Sequence, residues 1–260
     1  MWHELRLFFI ALQFLTRVPI PRWVGFQPEW LHDSARHFPA VGLCVGALAA
    51  GVLWLGAHAW TALIAVLLSM AATIWLTGAF HEDGLADTCD GLGGAVTREK
   101  ALAIMKDSRL GTYGAVGLLL VLALKAAALH SLSVRDLLAT LALLPLAHAW
   151  SRSATVLLLR LLPYGGDAEH AKAKPLAQQV DGFGLAIALA WAALAAVAAA
   201  LFLDPEVLLW AALAAASVTL WMARWLRLRL GGYTGDALGA TQQFSELAIY
   251  LAALAAMARG

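Results

Sequence analysis

The chain has little charge. Asp, Glu, Lys and Arg make up only 13% of its 260 residues, against 62% hydrophobic residues, and the mean hydropathy is +0.75. A soluble domain carries roughly twice that charge, so the composition excludes an ordinary soluble enzyme and implies an integral membrane protein. A basic excess is missing as well: the net charge is +1, which gives no global field for nucleic acid. Cysteine is scarce. Cys44 lies in an apolar run and Cys89 in an acidic stretch; the two make neither a disulfide framework nor a metal-type spacing, and both are expected to be small buried residues. The first apolar run, interrupted by Arg6 and Gln13 and stopped by Arg17, Pro19 and Pro21, has no small-residue cleavage site. It is expected to form an interfacial or partly inserted helix rather than a signal peptide. The alternation of a barrel strand is also lacking, which leaves helices as the spanning elements.

Crossing the hydrocarbon layer takes about 20 apolar residues as a helix. Runs of that length predict membrane helices near 39–58, 60–80, 113–133, 137–160, 184–203, 206–226 and 241–258. The expected fold is therefore an all-α, polytopic bundle of about seven transmembrane helices plus the N-terminal helix, in a single domain over 1–260. Very short turns at "GAHAW" and "DPE" predict two tight hairpins. Three longer polar connections remain, at 81–112, 161–183 and 227–240. If the N-terminal segment is cytoplasmic, that side collects Arg6, Arg17, Arg22, Arg36, Arg98, Lys100, Lys106, Arg109, Arg160, Lys172, Lys174 and the Arg224, Arg227, Arg229 run, while Arg135 and Arg259 stay opposite. The positive-inside rule then places all three connections in the cytoplasm.

The most informative stretch is "HEDGLADTCDGLGG", residues 81–94, which gathers Glu82, Asp83, Asp87 and Asp90. If the second membrane helix continues past Phe80, Asp83, Asp87 and Asp90 follow i, i+4, i+7 spacing and fall within about 60° on one stripe. Like charges so placed repel, and ionisable groups at membrane depth mark function. Oxygen-only ligands of this kind suit Mg²⁺ or Mn²⁺. Gly84, Gly91, Gly93 and Gly94 fit a place where a bulky group or another backbone comes close; a solvated acidic helix end is the plainer alternative.

A second stretch, "GGYTGDALGATQQFSE", sets Asp236 among Gly231, Gly232, Gly235 and Gly239, with Glu246 about two turns further on. Alone it is a Gly-rich helix start capped by Asp; beside the first cluster it forms the opposing wall of one site. Cations are at hand in "MKDSRLGTYG", where Lys106 and Arg109 flank Asp107 and Ser108 ahead of a helix, a setting suited to phosphate or to a plain positive-inside loop. Arg152, inside the fourth helix, needs a partner: a structural pair, the interface, or a phosphate of the site. His148 is expected to be a buried structural histidine, Lys125 to pair or snorkel, and Arg224, Arg227 and Arg229 to anchor at lipid head groups.

Metal-binding aspartates, glycines and Lys/Arg at a membrane surface together suggest phosphoryl or phosphate-ester transfer. The pattern D-x-x-D-G at Asp87, Asp90 and Gly91 resembles the start of the signature of CDP-alcohol phosphotransferases, whose continuation is absent here. A fuller resemblance, from about residue 8 to 250, is to the cobalamin synthase family, the adenosylcobinamide-GDP ribazoletransferases. "HEDGLADTCDGLGG", "MKDSRLGTYG", the "PY" of Pro163–Tyr164, "GGYTGDALGA" with Glu246, and "FLTRVPIP" carry it in order and spacing. The resemblance implies a multi-pass, Mg²⁺-dependent enzyme of the bacterial inner membrane that joins adenosylcobinamide-GDP to α-ribazole or its 5′-phosphate and releases GMP. In the family "PY" is commonly followed by Ala-Arg; here it reads "PYGGDAEHAKAK", with Lys172 and Lys174 the nearest cations, and the roles of Gln242 and Gln243 are open.

On this basis Asp83, Asp87, Asp90 and Asp236 are the expected metal ligands. Asp90 is the favoured base for the ribazole 3′-hydroxyl, with Asp87, Asp83 and Glu82 also in the catalytic group. Lys106, Ser108, Arg109 and Arg152 are expected on substrate phosphate, and Gly84, Gly91, Gly235, Gly239 and Glu246 in support. The active site is expected to face the cytoplasm. Membrane lipids are expected partners and nucleic acid is not; self-association or association with other cobalamin-pathway enzymes is left open. The rivals are a phospholipid-making CDP-alcohol phosphotransferase and, from another class, an ion or metal transporter. No paired mid-helix acid motifs recur in two halves of the chain, which disfavours a transporter.

Overall fold

The computed structural model describes residues 2–166 and 180–259. Among them the chain forms the helices α1 (Trp2–Leu15), α2 (Pro28–Ser34), α3 (Phe38–Ala59), α4 (Ala62–Thr77), α5 (Phe80–Gly94), α6 (Arg98–Met105), α7 (Thr112–Arg135), α8 (Leu137–Leu161), α9 (Gly182–Ala199), α10 (Pro205–Leu230) and α11 (Gly235–Met257). No strand is present among the described residues beyond an isolated bridge between Tyr164 and Tyr233. The protein is a polytopic helical membrane protein. The predicted α3–α4 hairpin forms, whereas α9 and α10, although joined by a short turn, do not pack along one another: α9 lies on α8, and α10 lies on α11 and α8.

About seven spans are expected from the sequence. Among the described residues five helical segments are, by length and composition, long and apolar enough to cross a membrane: the α2–α3 run, α7, α8, α9 and α10, or six if α4 with α5 is one broken span. The segment predicted at 241–258 is α11, whose first half carries Asp236, Gln242, Gln243 and Glu246. Those polar side chains lower its hydropathy, and they are accommodated because α11 packs against α5, α7, α8 and α10.

The second predicted span does not run on past Phe80. It stops at Thr77, where Gly78 (φ 67) and Ala79 (φ 59) are left-handed in succession, and α5 leaves at 88° to α4. The Gly78 and Ala79 N–H groups close the last turn of α4 on Ile74 and Trp75, a glycine-type C-cap. Arg17, just after α1, braces the break: its N–H donates to Leu76 O (2.8 Å), and a Cβ on Gly78 would lie 2.7 Å from its Nε.

Elsewhere close packing replaces hydrophobic drive, as lipid-embedded helices require. Gly42 and Gly46 let α3 lie directly on the α8 backbone at His148 and Pro145, where a Cβ on Gly46 would come 2.5 Å from the Pro145 Cα. α1 buries Leu7, Ile10, Ala11 and Leu15 against the bundle. Cys44, expected inside, instead points outward from α3, while Cys89 is half-buried.

Candidate active site

The break at Gly78–Ala79 makes α5 a helix of its own, so the sequence stripe survives on a different support. Asp83 is exposed and Asp87 half-buried, one turn apart on the same side. On the adjoining side Gly84 meets α11 backbone to backbone: a Cβ there would sit 2.7 Å from Asp236 O and 3.0 Å from Asp236 Cα. Gly239 completes the crossing, its own Cβ position being 3.3 Å from Gly84 Cα. The contact presses the first turn of α11, with half-buried Asp236, against the turn of α5 that carries Asp83. Thr234 caps that turn by accepting from Ala237 N (3.2 Å), and an acid in the first turn suits the helix dipole.

The other flank of α5 holds the basic loop. Asp90 is buried and accepts from Gly111 N and Gly114 N, each at 2.7 Å, so it fastens the N-terminus of α7 to α5. Gly91 lies against Ala101 O of α6, 3.0 Å from where its Cβ would be. Between these two anchors residues 106–111 pass beside the aspartate face, exposing Lys106, Ser108 and Arg109. Arg109 Nε donates to Asp107 Oδ1 at 3.0 Å. These hydrogen bonds hold the Asp107 carboxyl down at about 2 and raise the Arg109 guanidinium.

The mouth of the bundle is stapled by chain segments distant in sequence. Tyr233 N donates to Pro163 O (3.0 Å) and Gly165 N to Tyr233 O (2.8 Å), so "PY" clasps the turn that leads into Asp236. Arg98 donates to Leu230 O (2.8 Å) and Gly165 O (2.7 Å), and Arg229 to Ala95 O (2.6 Å). Arg229, expected at lipid head groups, thus ties α10 to the α5–α6 turn. Burial and the neighbouring Tyr164 ring push the Tyr233 phenol well up from its ordinary value.

A separate cluster lies deeper. Glu246 receives Lys125 Nζ (2.7 Å) and Tyr250 OH (3.1 Å) on Oε1, and Gln242 Nε2 (2.5 Å) on Oε2, with His148 Nδ1 3.4 Å away. Lys125 also donates to Gln243 Oε1 (3.1 Å), whose Nε2 donates to Glu82 Oε1 (2.9 Å). Arg152 donates to His148 O (3.0 Å). Each of these side chains is buried.

The structure therefore sets the Asp236 backbone against the turn of α5 that lies between Asp83 and Asp87, with Lys106, Ser108 and Arg109 exposed on the loop that leads to the Asp90–Gly111 bond. It does not bring Glu82, Arg152 or Glu246 to that face, and Asp90, two turns along the same stripe, meets α7 instead. Asp90 is spent on the α7 cap, while the other three belong to the interior cluster. The four-aspartate metal set is accordingly not gathered: among the described residues no group of three or more His, Cys, Asp or Glu side chains could hold a metal ion. Gly84, Gly91 and Gly239 are explained by helix contact, whereas nothing lies within 4 Å of a Cβ on Gly235. Lys172 and Lys174 lie outside the described residues. Gln242 and Gln243, whose roles were open in the sequence, are bonded to Glu246 and Glu82; their adjacency to Glu246 on one helix was the available signal.

The sequence model of the cobalamin-5-phosphate synthase family matches residues 7–254. The chain belongs to the cobalamin-5-phosphate synthase family. Relatives named adenosylcobinamide-GDP ribazoletransferase match it almost end to end. The protein of Leptothrix cholodnii is 64% identical over 254 residues, 97% of this chain and 96% of the relative. That of Polaromonas sp. strain JS666 is 44% identical, covering 95% of each chain. That of Shewanella frigidimarina is 44% identical over 97% of this chain and 95% of the relative. No solved structure matches the chain. The family match spans both Asp-bearing helices, the basic loop and the clasp at the mouth, so the whole candidate site lies inside it.

Proposed function

We propose that the chain is an adenosylcobinamide-GDP ribazoletransferase. It joins adenosylcobinamide-GDP to α-ribazole or its 5′-phosphate and releases GMP, with Mg²⁺ as cofactor, at the cytoplasmic face of the bacterial inner membrane. Membership of a family whose relatives bear that name supports the reaction. The lopsided Lys/Arg distribution supports the orientation. The observation that supports the site is the α5–α11 crossing at Gly84, where the Asp236 backbone lies against the turn of α5 between Asp83 and Asp87.

The donor chemistry fits Mg²⁺. Such an ion takes one or two carboxylates and completes its shell with water and substrate phosphates, so a protein cage of three or more acids is not required. Asp87 and Asp236, the half-buried pair, would hold it. When bound, the ion neutralises diphosphate charge and favours phosphoryl displacement. Asp83, the most exposed of the three, takes the role first assigned to Asp90, because both Asp90 oxygens already accept backbone N–H groups. It removes the proton of the ribazole 3′-hydroxyl, whose oxygen bonds to the phosphorus nearest the corrinoid arm. The bridging P–O bond breaks, and GMP leaves with its electron pair, steadied by Lys106 and Arg109.

The test is purified Asp87→Asn in saturating Mg²⁺ with adenosylcobinamide-GDP and α-ribazole phosphate. GMP release should fall by at least about a hundredfold, since several kcal/mol of charge stabilisation are lost. Near-wild-type release would remove Asp87 from the metal site. Release of CMP from a CDP-lipid by the wild type, with no corrinoid product, would replace the reaction itself.

A further inference from the structure

Three buried polar atoms in the interior cluster have no hydrogen-bond partner among the described residues: Glu82 Oε2, Gln242 Oε1 and Arg152 Nε. Their residues are 8%, 1% and 2% exposed and line one cavity between α5, α8 and α11. An orphaned acceptor or donor at this depth is costly, more so for a charged group, so three around one cavity call for a shared ligand. The orientation of Gln242 is fixed by its Nε2, which donates to Glu246 Oε2 and Ser151 Oγ (3.1 Å), so its Oε1 is a true acceptor. The unmet set is two acceptors and one N–H donor.

The cavity, about 10 Å³, has room for one small molecule. Lys125 and Arg152 line it, and their fixed positive charge disfavours a metal ion. Water offers two O–H donors and lone pairs to accept from Arg152, the complement of the unmet set.

Glu82 is one residue from Asp83, about 100° round the helix, and is buried where Asp83 is exposed. Its Oε1 accepts a hydrogen bond from Gln243 Nε2 (2.9 Å), which joins α5 to α11 four residues, about one turn, below Gly239. We infer that this cavity holds an ordered water joining Glu82, Gln242 and Arg152, and that the water and Gln243 together make Glu82 a positioning residue, setting the pose of α5 against α11. The inference rests on the metal site proposed above only in its consequence: displacing α5 separates Asp87 from Asp236. The clamp itself needs no metal.

The test uses the full-length protein in lipid nanodiscs as wild type, Gln243→Leu, Glu82→Gln, and the exchange pair Glu82→Gln with Gln243→Glu, which restores a carboxylate–amide link in reverse. Amide hydrogen exchange of residues 80–92 should quicken at least about tenfold in Gln243→Leu, the scale of one charge-assisted hydrogen bond, while α3 and α8 stay unchanged. The exchange pair should return towards wild type. Mn²⁺ binding by electron paramagnetic resonance should weaken by a similar factor in the single variants. A cryo-EM map that resolves other buried waters should show density within hydrogen-bond distance of all three orphaned atoms. Wild-type exchange over 80–92 in both single variants would overturn the positioning role, and an empty cavity in such a map would overturn the water. A wild type that binds no Mn²⁺ would defeat the metal site instead, leaving exchange and density to decide the clamp.

Discussion

Glu82 and Asp83 are neighbours in sequence, yet they belong to opposite electrostatic regimes. Asp83 is exposed on a face shared with Asp87 and brought against Asp236. Glu82 is buried and bonded to Gln243, at the edge of a network in which Glu246 meets Lys125, Gln242 and Tyr250. Inside, Glu246 is answered by Lys125, Gln242 and Tyr250, as membrane burial demands. At the mouth the acids share one open face, with a basic loop alongside. The difference separates charge held inside the bundle from charge at its accessible mouth.

The strongest way to break this comparison is to remove one partner inside. Lys125→Met leaves Glu246 buried without its closest cation and should destabilise the bundle by about 3–5 kcal/mol, measured by thermal unfolding in detergent. Adding Glu246→Gln should recover much of the loss, and a benign single variant would end the distinction. Gly84→Ala acts between the regions, because its Cβ would press on Asp236 O. About 1–3 kcal/mol of overpacking is expected, with GMP release falling further than stability does. Asp90→Asn sharpens the reassignment of that residue: loss of a charged cap on α7 should cost about 1–2 kcal/mol, with activity falling only in step with folding. A larger fall in activity alone would return Asp90 to the chemistry.

The smallest effect concerns Asp107. Its folded value, about 2, is depressed from 3.8 by Arg109. The pair's contribution is therefore present above the unfolded value and lost only as pH falls through the folded one. The activity ratio of wild type to Asp107→Asn should stay flat across about pH 5 to 8, and a change in that window would place Asp107 in contact with substrate.

The helices were legible because apolar runs bounded by Gly, Pro and Asp carry their own length. The span count was not, for two physical reasons. α11 hides its polar half among other helices, which no window of hydropathy registers, and α4 ends where Ala79 adopts a left-handed conformation that alanine does not advertise. The Asp83–Asp87 face followed from spacing, since helical spacing gives an angle. What stands opposite an angle is tertiary information: spacing alone could not tell that Asp90 looks onto α7, that Glu82 looks into the core, or that "PY" clasps "GGY". Sequence reasoning placed both motifs at one mouth without showing that they touch.

Ala79 has a mechanical meaning beyond topology. Among the described residues it is the non-glycine position with positive φ, a conformation that costs an L-residue roughly 1–2 kcal/mol. Its methyl group also closes off most other dihedral angles at the joint. Glycine there would ease the backbone and let α5 swing. The strain in the hinge and the stiffness of the hinge are the work of one methyl group.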